Sequence, residues 1–303
     1  MKVVVTGANG FVGARVVQEL VKRGDEVHAV VRATGERRRL KGIPSLRLLE
    51  ADLLSAAGQE TIAALGAEAC VHAAWYAEPG KYLSSLTNID FVGATLDLAR
   101  SLAQGGCRRF VGIGTCFEYD TDRGFLSERT PLAPVHLYSA AKAATYLALK
   151  QLGLLSGMQV AWGRLFYLYG PDEYPDRLVS SIARALLRGE EARSTPGLQI
   201  RDFLHVEDAA SALCAVLHSD LVDAVNIGSG QPVTVAAIVQ QLGAICGRPD
   251  LVRLGARPYA AGDPMFVCAD VRVLRTATGW SPRWSMADGL ADAVGWWRGS
   301  KGG

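Results

Sequence analysis

The first 24 residues run through two hydrophobic periods joined by a glycine-rich turn. Lys2-Val3-Val4-Val5 is a β-branched run of the kind that forms a strand buried on both faces of a parallel sheet. It stops at Thr6-Gly7, and Val12, Val16, Val17, Leu20 and Val21 then recur at helical spacing on one face. The same change of period repeats downstream. Residues 25–32, 46–53, 70–74 and 108–114 predict four further strands, residues 89–102 predict a helix, and another helix starts near His136. Strands alternating with helical segments predict an α/β fold around a doubly wound parallel sheet.

Between the first strand and helix, Gly7, Gly10 and Gly13 have the spacing G-x-x-G-x-x-G. The first glycine permits a tight turn, the second lets backbone amides approach a pyrophosphate, and the third lets helix and strand pack closely. Asn9, Phe11 and Val12 complete this cradle, and the helix N-terminus faces an anion. A glycine motif directly after a strand and before an amphipathic helix is the context of a dinucleotide fingerprint. The second strand ends in Arg32, followed by Arg37, Arg38, Arg39 and Lys41, where an acid would mark NAD and an arginine accommodates the 2′-phosphate of NADP. NADP(H) is therefore the preferred cofactor and NAD(H) the alternative. The run 36–42 also reads as a solvated helix face from which only Arg32 points inward.

The third strand brings Asp52 and Leu53 to the sheet edge, where a carboxylate can accept from an adenine amino group. Ala73 and Ala74 leave room for a cofactor at the end of the fourth, and His72 among small apolar neighbours reads as a packed core residue. The fifth strand delivers Thr115 to the edge at which open α/β folds bind ligands. Tyr138 and Lys142, at i and i+4, share a helical face. A nearby cation favours the phenolate, so such a phenol can exchange a proton with a carbonyl or alcohol oxygen near neutral pH.

Composition adds exclusions. Lys+Arg 32 against Asp+Glu 30 leaves no electrostatic footprint for nucleic acid or an anionic membrane surface. No apolar run approaches the ~18 residues a membrane span needs, and the strand at the very start leaves no room for a leader, so a cytoplasmic protein is expected. The six cysteines form no C-x-x-C pair, so neither a metal site nor a disulfide framework is expected. A chain of 303 residues accommodates two lobes. No internal repeat appears, and residues 299–303 read as a short frayed tail.

These motifs resemble the extended short-chain dehydrogenase/reductases, and within them the nucleotide-sugar epimerases, dehydratases and reductases. The resemblance is carried by TGANGFVG at 6–13, ADLL at 51–54, VHAA at 71–74, the strand ending at Thr115, YSAAK at 138–142, RLFYLYGP at 164–171, RDFLHVEDAA at 201–210, NIGSG at 226–230 and GWSP at 279–282. It implies a Rossmann domain over 1–170, to which 201–227 returns, and a smaller C-terminal α/β lobe over 171–303 for the nucleotide sugar. It implies that Thr115 hydrogen-bonds the reacting sugar oxygen, that Tyr138 exchanges its proton, and that Lys142 holds the nicotinamide ribose while biasing Tyr138 toward phenolate. Cys116, Phe117 and Tyr167 would border the substrate, and Arg201 and Arg257 would meet its diphosphate as bidentate donors. Each arginine has a rival reading as an ion pair, Arg201 with Asp202 and Arg257 with Asp263.

Departures from the family pattern narrow the reaction. The two carboxylates that follow the catalytic threonine in sugar 4,6-dehydratases are Cys116 and Phe117 here, with Glu118 one place further along. Tyr167 replaces the usual asparagine of its motif, and the asparagine expected in the helix near residue 90 is displaced to Asn88. The run GLQIRDFLHVEDA at 197–209 with GARPYAAGD at 255–263 looks like the NDP-4-keto-6-deoxyhexose reductases of the CDP-abequose and CDP-paratose synthase type. The expected function is NADPH-dependent reduction of a C4 ketone in deoxysugar biosynthesis. The alternatives are an NAD-dependent NDP-hexose 4-epimerase, a steroid or flavonoid ketone reductase, and a non-catalytic redox sensor. The resemblance also implies a homodimer through the helices near 89–103 and 138–155.

Overall fold

The computed structural model describes residues 1–34 and 37–299. The first part of the basic run and the tail beyond 299 lie outside the described residues.

Seven parallel strands form the main sheet: β1 (Lys2–Thr6), β2 (Glu26–Val31), β3 (Arg47–Glu50), β4 (Ala69–His72), β5 (Arg109–Thr115), β7 (Gln159–Leu165) and β11 (Asp223–Ile227). Their order is β3-β2-β1-β4-β5-β7-β11, and every pairing is parallel. It is a Rossmann-type sheet whose order reverses between β1 and β4, the place where such sheets open a ligand crevice. Two strands are shorter than expected. β3 stops at Glu50, so Asp52 and Leu53 sit in the turn beyond it, and β4 stops at His72, so Ala73 and Ala74 lie just past the sheet.

Strand alternation divides the core. Val3 and Val5 face α1 (Phe11–Lys22) and α6 (Val206–Leu217), while Val4 faces the layer of α2 (Ala56–Ala63), α3 (Thr87–Gln104) and α4 (Leu137–Ser156). Leu20, Leu213, Leu98 and Leu149 are all fully buried in these layers. At roughly 1.5–3 kcal/mol for each such side chain, they hold helices to sheet far more strongly than local propensity does.

A second sheet runs β12-β10-β14-β6, with β8 beside β10: β6 (Phe125–Leu126), β8 (Tyr167–Tyr169), β10 (Ile200–His205), β12 (Pro232–Thr234) and β14 (Phe266–Ala269). β9 (Ala192–Arg193) pairs with β13 (Val252–Arg253). The helices α5 (Leu178–Leu187), α7 (Val235–Cys246) and α9 (Met286–Gly299) share a third core with Phe203 and Tyr169, and α8 (Arg272–Thr278) packs its Leu274 against the α1 side. Asp208, in the first turn of α6, is fully buried and accepts the backbone amides of Arg283 and Trp284 at 3.0 Å each, tying the chain before α9 to the Rossmann layer. Among the described residues no helix is long and apolar enough to cross a membrane.

Candidate active site

The glycine turn is built so that side chains cannot enter it. Gly7 has φ +63°, and a Cβ there would lie 2.7 Å from the Ala73–Ala74 peptide. At Gly13 a Cβ would sit 2.2 Å from the carbonyl oxygen of Gly7. Both approaches are to backbone, which cannot yield as a flexible side chain can. No side chain caps α1 at Gly10, so the first-turn amides are left for an anionic ligand. Ala73 and Ala74 close the other side through amide bonds to Thr6 O and Thr6 Oγ1. The cradle fits a dinucleotide pyrophosphate.

Beneath it, His72 is fully buried between Thr6 Oγ1 and Thr95 Oγ1, at 2.9 Å from each, and burial pushes its imidazole down to about 3. It is a neutral core hydrogen-bonding residue.

Thr115 ends β5 and caps the short turn that follows. Its amide donates to Glu118 Oε1 at 2.8 Å and its Oγ1 accepts from Phe117 N at 3.3 Å, which leaves the hydroxyl proton for another acceptor. Tyr138 lies in the first turn of α4, its amide bonded to Leu83 O and its ring edge-on to Tyr82 at 4.8 Å. Lys142, one turn on, is 3% exposed; its Nζ donates to Ile113 O at 2.6 Å and lies 3.8 Å over the Trp75 ring.

This corrects the expected electrostatics. Burial, with Tyr82 next, pushes the Tyr138 phenol well above its ordinary range, and burial pushes the Lys142 ammonium down to about 7 against the opposing Glu118 carboxylate. Lys142 is engaged with a carbonyl and an indole, and the raised Tyr138 phenol keeps its proton.

Glu118 is the residue that the sequence conceals. It is fully buried, accepts from Thr115 N and Trp162 Nε1 (2.9 Å), and pairs with Arg164 Nε at 2.7 Å. Arg164 is 2% exposed and lies over Tyr119 and Tyr146 at 4.4 and 5.0 Å. Glu118 is thus fully buried, with both carboxylate oxygens committed to Thr115 N, Trp162 and Arg164. Cys116 is 2% exposed, its thiol pushed up to about 12 by burial, and Phe117 packs edge-on against Tyr167 at 6.1 Å.

The arginine pairings also differ from those expected. Arg201 bonds Asp263 at 2.6 Å rather than its neighbour Asp202, because β10 alternation turns the two side chains apart. Asp202 instead accepts the amides of Ser229, Gly230 and Ala269. Arg201 also lies 5.3 Å over Tyr167. Arg257 is exposed and has no ion pair among the described residues, since Asp263 is taken. Asp52 is exposed, with Oδ1 accepting Leu54 N, and Leu53 is buried.

The basic run after β2 is not a free solvated face. Arg37 pairs with Glu50, and Arg38 and Arg39 both pair with Asp172; Arg32 is exposed without an ion pair among the described residues. Trp75 and Tyr82, neither of them anticipated, flank Lys142 and Tyr138. Trp75 directly follows the small residues ending VHAA, which is a usable signal; Tyr82 carries none. The displaced Asn88 explains Trp75, accepting from its Nε1 at 2.8 Å while donating to Tyr82 O and Ser85 O.

Known proteins are similar to this chain over its full length. The chain is 29% identical over 315 residues to a dTDP-glucose 4,6-dehydratase of Streptomyces niveus, covering 98% of this chain and 93% of that protein. It is 32% identical to MoeE5, solved with UDP-glucuronic acid and NAD, over 99% and 100% of the two chains, with a TM-score of 0.81. The UDP-glucose 4-epimerase of Thermotoga maritima, solved with UDP-glucose, has the same fold at a TM-score of 0.89, 24% identity and 99% coverage of both chains. Residues 3–228, from β1 through the whole parallel sheet, match the NAD dependent epimerase/dehydratase family, and the chain belongs to that family of nucleotide-sugar enzymes.

Proposed function

We propose that this enzyme inverts C4 of a nucleotide-diphosphate hexose. The observation that carries the reading is the burial of Glu118 in its pair with Arg164. Relatives are named as 4-epimerases and as 4,6-dehydratases, and dehydration needs carboxylates on the substrate side of the threonine. Cys116 and Phe117 supply none, and Glu118 is buried and committed to its pair with Arg164.

Bound dinucleotide would supply a hydride acceptor and donor at C4. Tyr138 moves the proton of the C4 oxygen, and the Thr115 hydroxyl donates to that same oxygen as negative charge develops on it. Lys142 Nζ would hold the nicotinamide ribose in exchange for its bond to Ile113 O. Arg257 and Arg201 face the diphosphate, Arg201 sharing its guanidinium with Asp263. Cys116, Phe117 and Tyr167 border the sugar and select its substituents. The exposed Leu147, Leu154 and Leu155 of α4, with Ile89 of α3, support a homodimer through these helices; light scattering should then give twice the chain mass of 32.3 kDa.

The test is incubation with UDP-glucose and UDP-glucuronic acid without added reductant, followed by NMR at C4. Inversion in either substrate supports the reading. Stoichiometric NADPH oxidation on a 4-keto-6-deoxy sugar, with no inversion, would replace it with the 4-ketoreductase.

That second reading is favoured by one observation, Arg32, which follows β2 exposed and without an ion pair among the described residues, where an NAD enzyme would carry an acid. Arg32→Asp should lower the NADP/NAD affinity ratio about tenfold or more if Arg32 reads the 2′-phosphate. An unchanged ratio in a binding titration removes Arg32 from cofactor selection.

A further inference from the structure

Asp172 lies in the loop after β8, 134 residues from Arg38, yet meets the basic run beside the glycine turn. Its Oδ1 is 2.5 Å from Arg38 Nη2, its Oδ2 is 2.8 Å from Arg39 Nε, and its carbonyl oxygen accepts from Arg39 Nη2 at 2.9 Å. Arg39 also donates from Nη1 to Asn9 O at 3.1 Å, which fixes its guanidinium against the cradle turn. The turn is anchored to the end of β2 through Ala8 N and Val30 O. Arg39 therefore stands between the glycine turn and the end of β2, where the adenosine ribose of a dinucleotide lies. Asp172 has φ +68°, a left-handed conformation that costs a non-glycine residue energy and persists when its surroundings over-determine it. Here two guanidiniums do so.

We infer that Asp172 is a specificity-determining residue whose carboxylate holds Arg38 and Arg39 in place of a 2′-phosphate, so that the chain disfavours NADP. A carboxylate and a phosphate compete for the same guanidinium donors. An internal carboxylate fixed by the fold is present at all times, and a 2′-phosphate must displace it. The Arg39 Nε contact is close but poorly aligned for a hydrogen bond, so a donor in this site is left incompletely satisfied. The inference rests on the dinucleotide reading of the cradle, and it leaves the sugar chemistry untouched.

The experiment is calorimetric titration of the full chain with 5′-AMP and with 2′,5′-ADP, which differ by the 2′-phosphate alone. Asp172→Asn removes the charge, keeps the shape, and keeps a residue that tolerates positive φ. It should tighten 2′,5′-ADP about tenfold relative to 5′-AMP. Arg39→Gln added to Asp172→Asn should cancel that gain. Equal changes for both nucleotides would reduce Asp172 to a tether between loops and overturn the inference, as would a gain that survives loss of Arg39. Wild-type protein that binds neither nucleotide would overturn the cradle reading, and the inference with it.

Discussion

Tyr138→Phe is expected to leave dinucleotide affinity within about twofold and to lower kcat by about 10²–10⁴-fold, the range typical of a lost general acid–base. The phenol sits one helical turn before Lys142, and its ring is held by Tyr82, so the substitution deletes one oxygen without opening a cavity. Its hydroxyl makes no internal hydrogen bond among the described residues, and no structural partner is orphaned. Burial holds the phenol protonated. A neutral phenol is ready to give a proton, whereas taking one from the C4 alcohol requires the scarce phenolate. Wild-type kcat for alcohol oxidation should therefore rise with pH above neutrality, since each step upward enlarges the phenolate fraction. In Tyr138→Phe the residual rate should lose this slope. Single-turnover kinetics across pH, with cofactor affinity measured separately, decide the matter. Wild-type kcat in the variant would remove Tyr138 from the chemistry, and a retained slope would assign the titration to another group.

The parts of this molecule that were legible in its sequence are those whose cause is local. The first strand, glycine turn and first helix follow from β-branched residues, three glycines and a 3.6-residue period within 24 positions, and steric contacts at Gly7 and Gly13 supply the reason for the spacing. Thr115 arrives at the sheet edge because the strand before it, apolar from Phe110 to Gly114, is buried throughout. What was not legible depends on groups remote along the chain. Arg164 reaches Glu118 across 46 residues, Arg201 reaches Asp263 across 62, and Arg38 reaches Asp172 across 134. Each pairing was open to several partners until the sheet placed the strands. The electrostatics of Tyr138 and Lys142 were misjudged for a related reason. An i, i+4 spacing puts two groups on one face, but it does not report burial, and burial dominates both. The family resemblance supplied the expected roles of Thr115, Tyr138 and Lys142; the packing around them supports the proposed reaction.

Glu118→Gln should destabilise the fold by about 3–5 kcal/mol, the cost of breaking a buried ion pair by removing one partner. Gln can still accept from Thr115 N and Trp162 Nε1, so those two bonds survive. The loss is electrostatic: Arg164, 2% exposed between Tyr119 and Tyr146, would keep its charge without a counter-charge. Surface pairs such as Arg188–Glu190, both about half exposed, contribute little and provide the control. Urea unfolding measures the difference. Arg164→Met added to Glu118→Gln should recover much of the lost stability, because a neutral pair of similar volume leaves no charge buried. An unchanged urea midpoint in Glu118→Gln would show that Arg164 finds solvent or another acceptor. A double variant no more stable than the single would place the loss in packing.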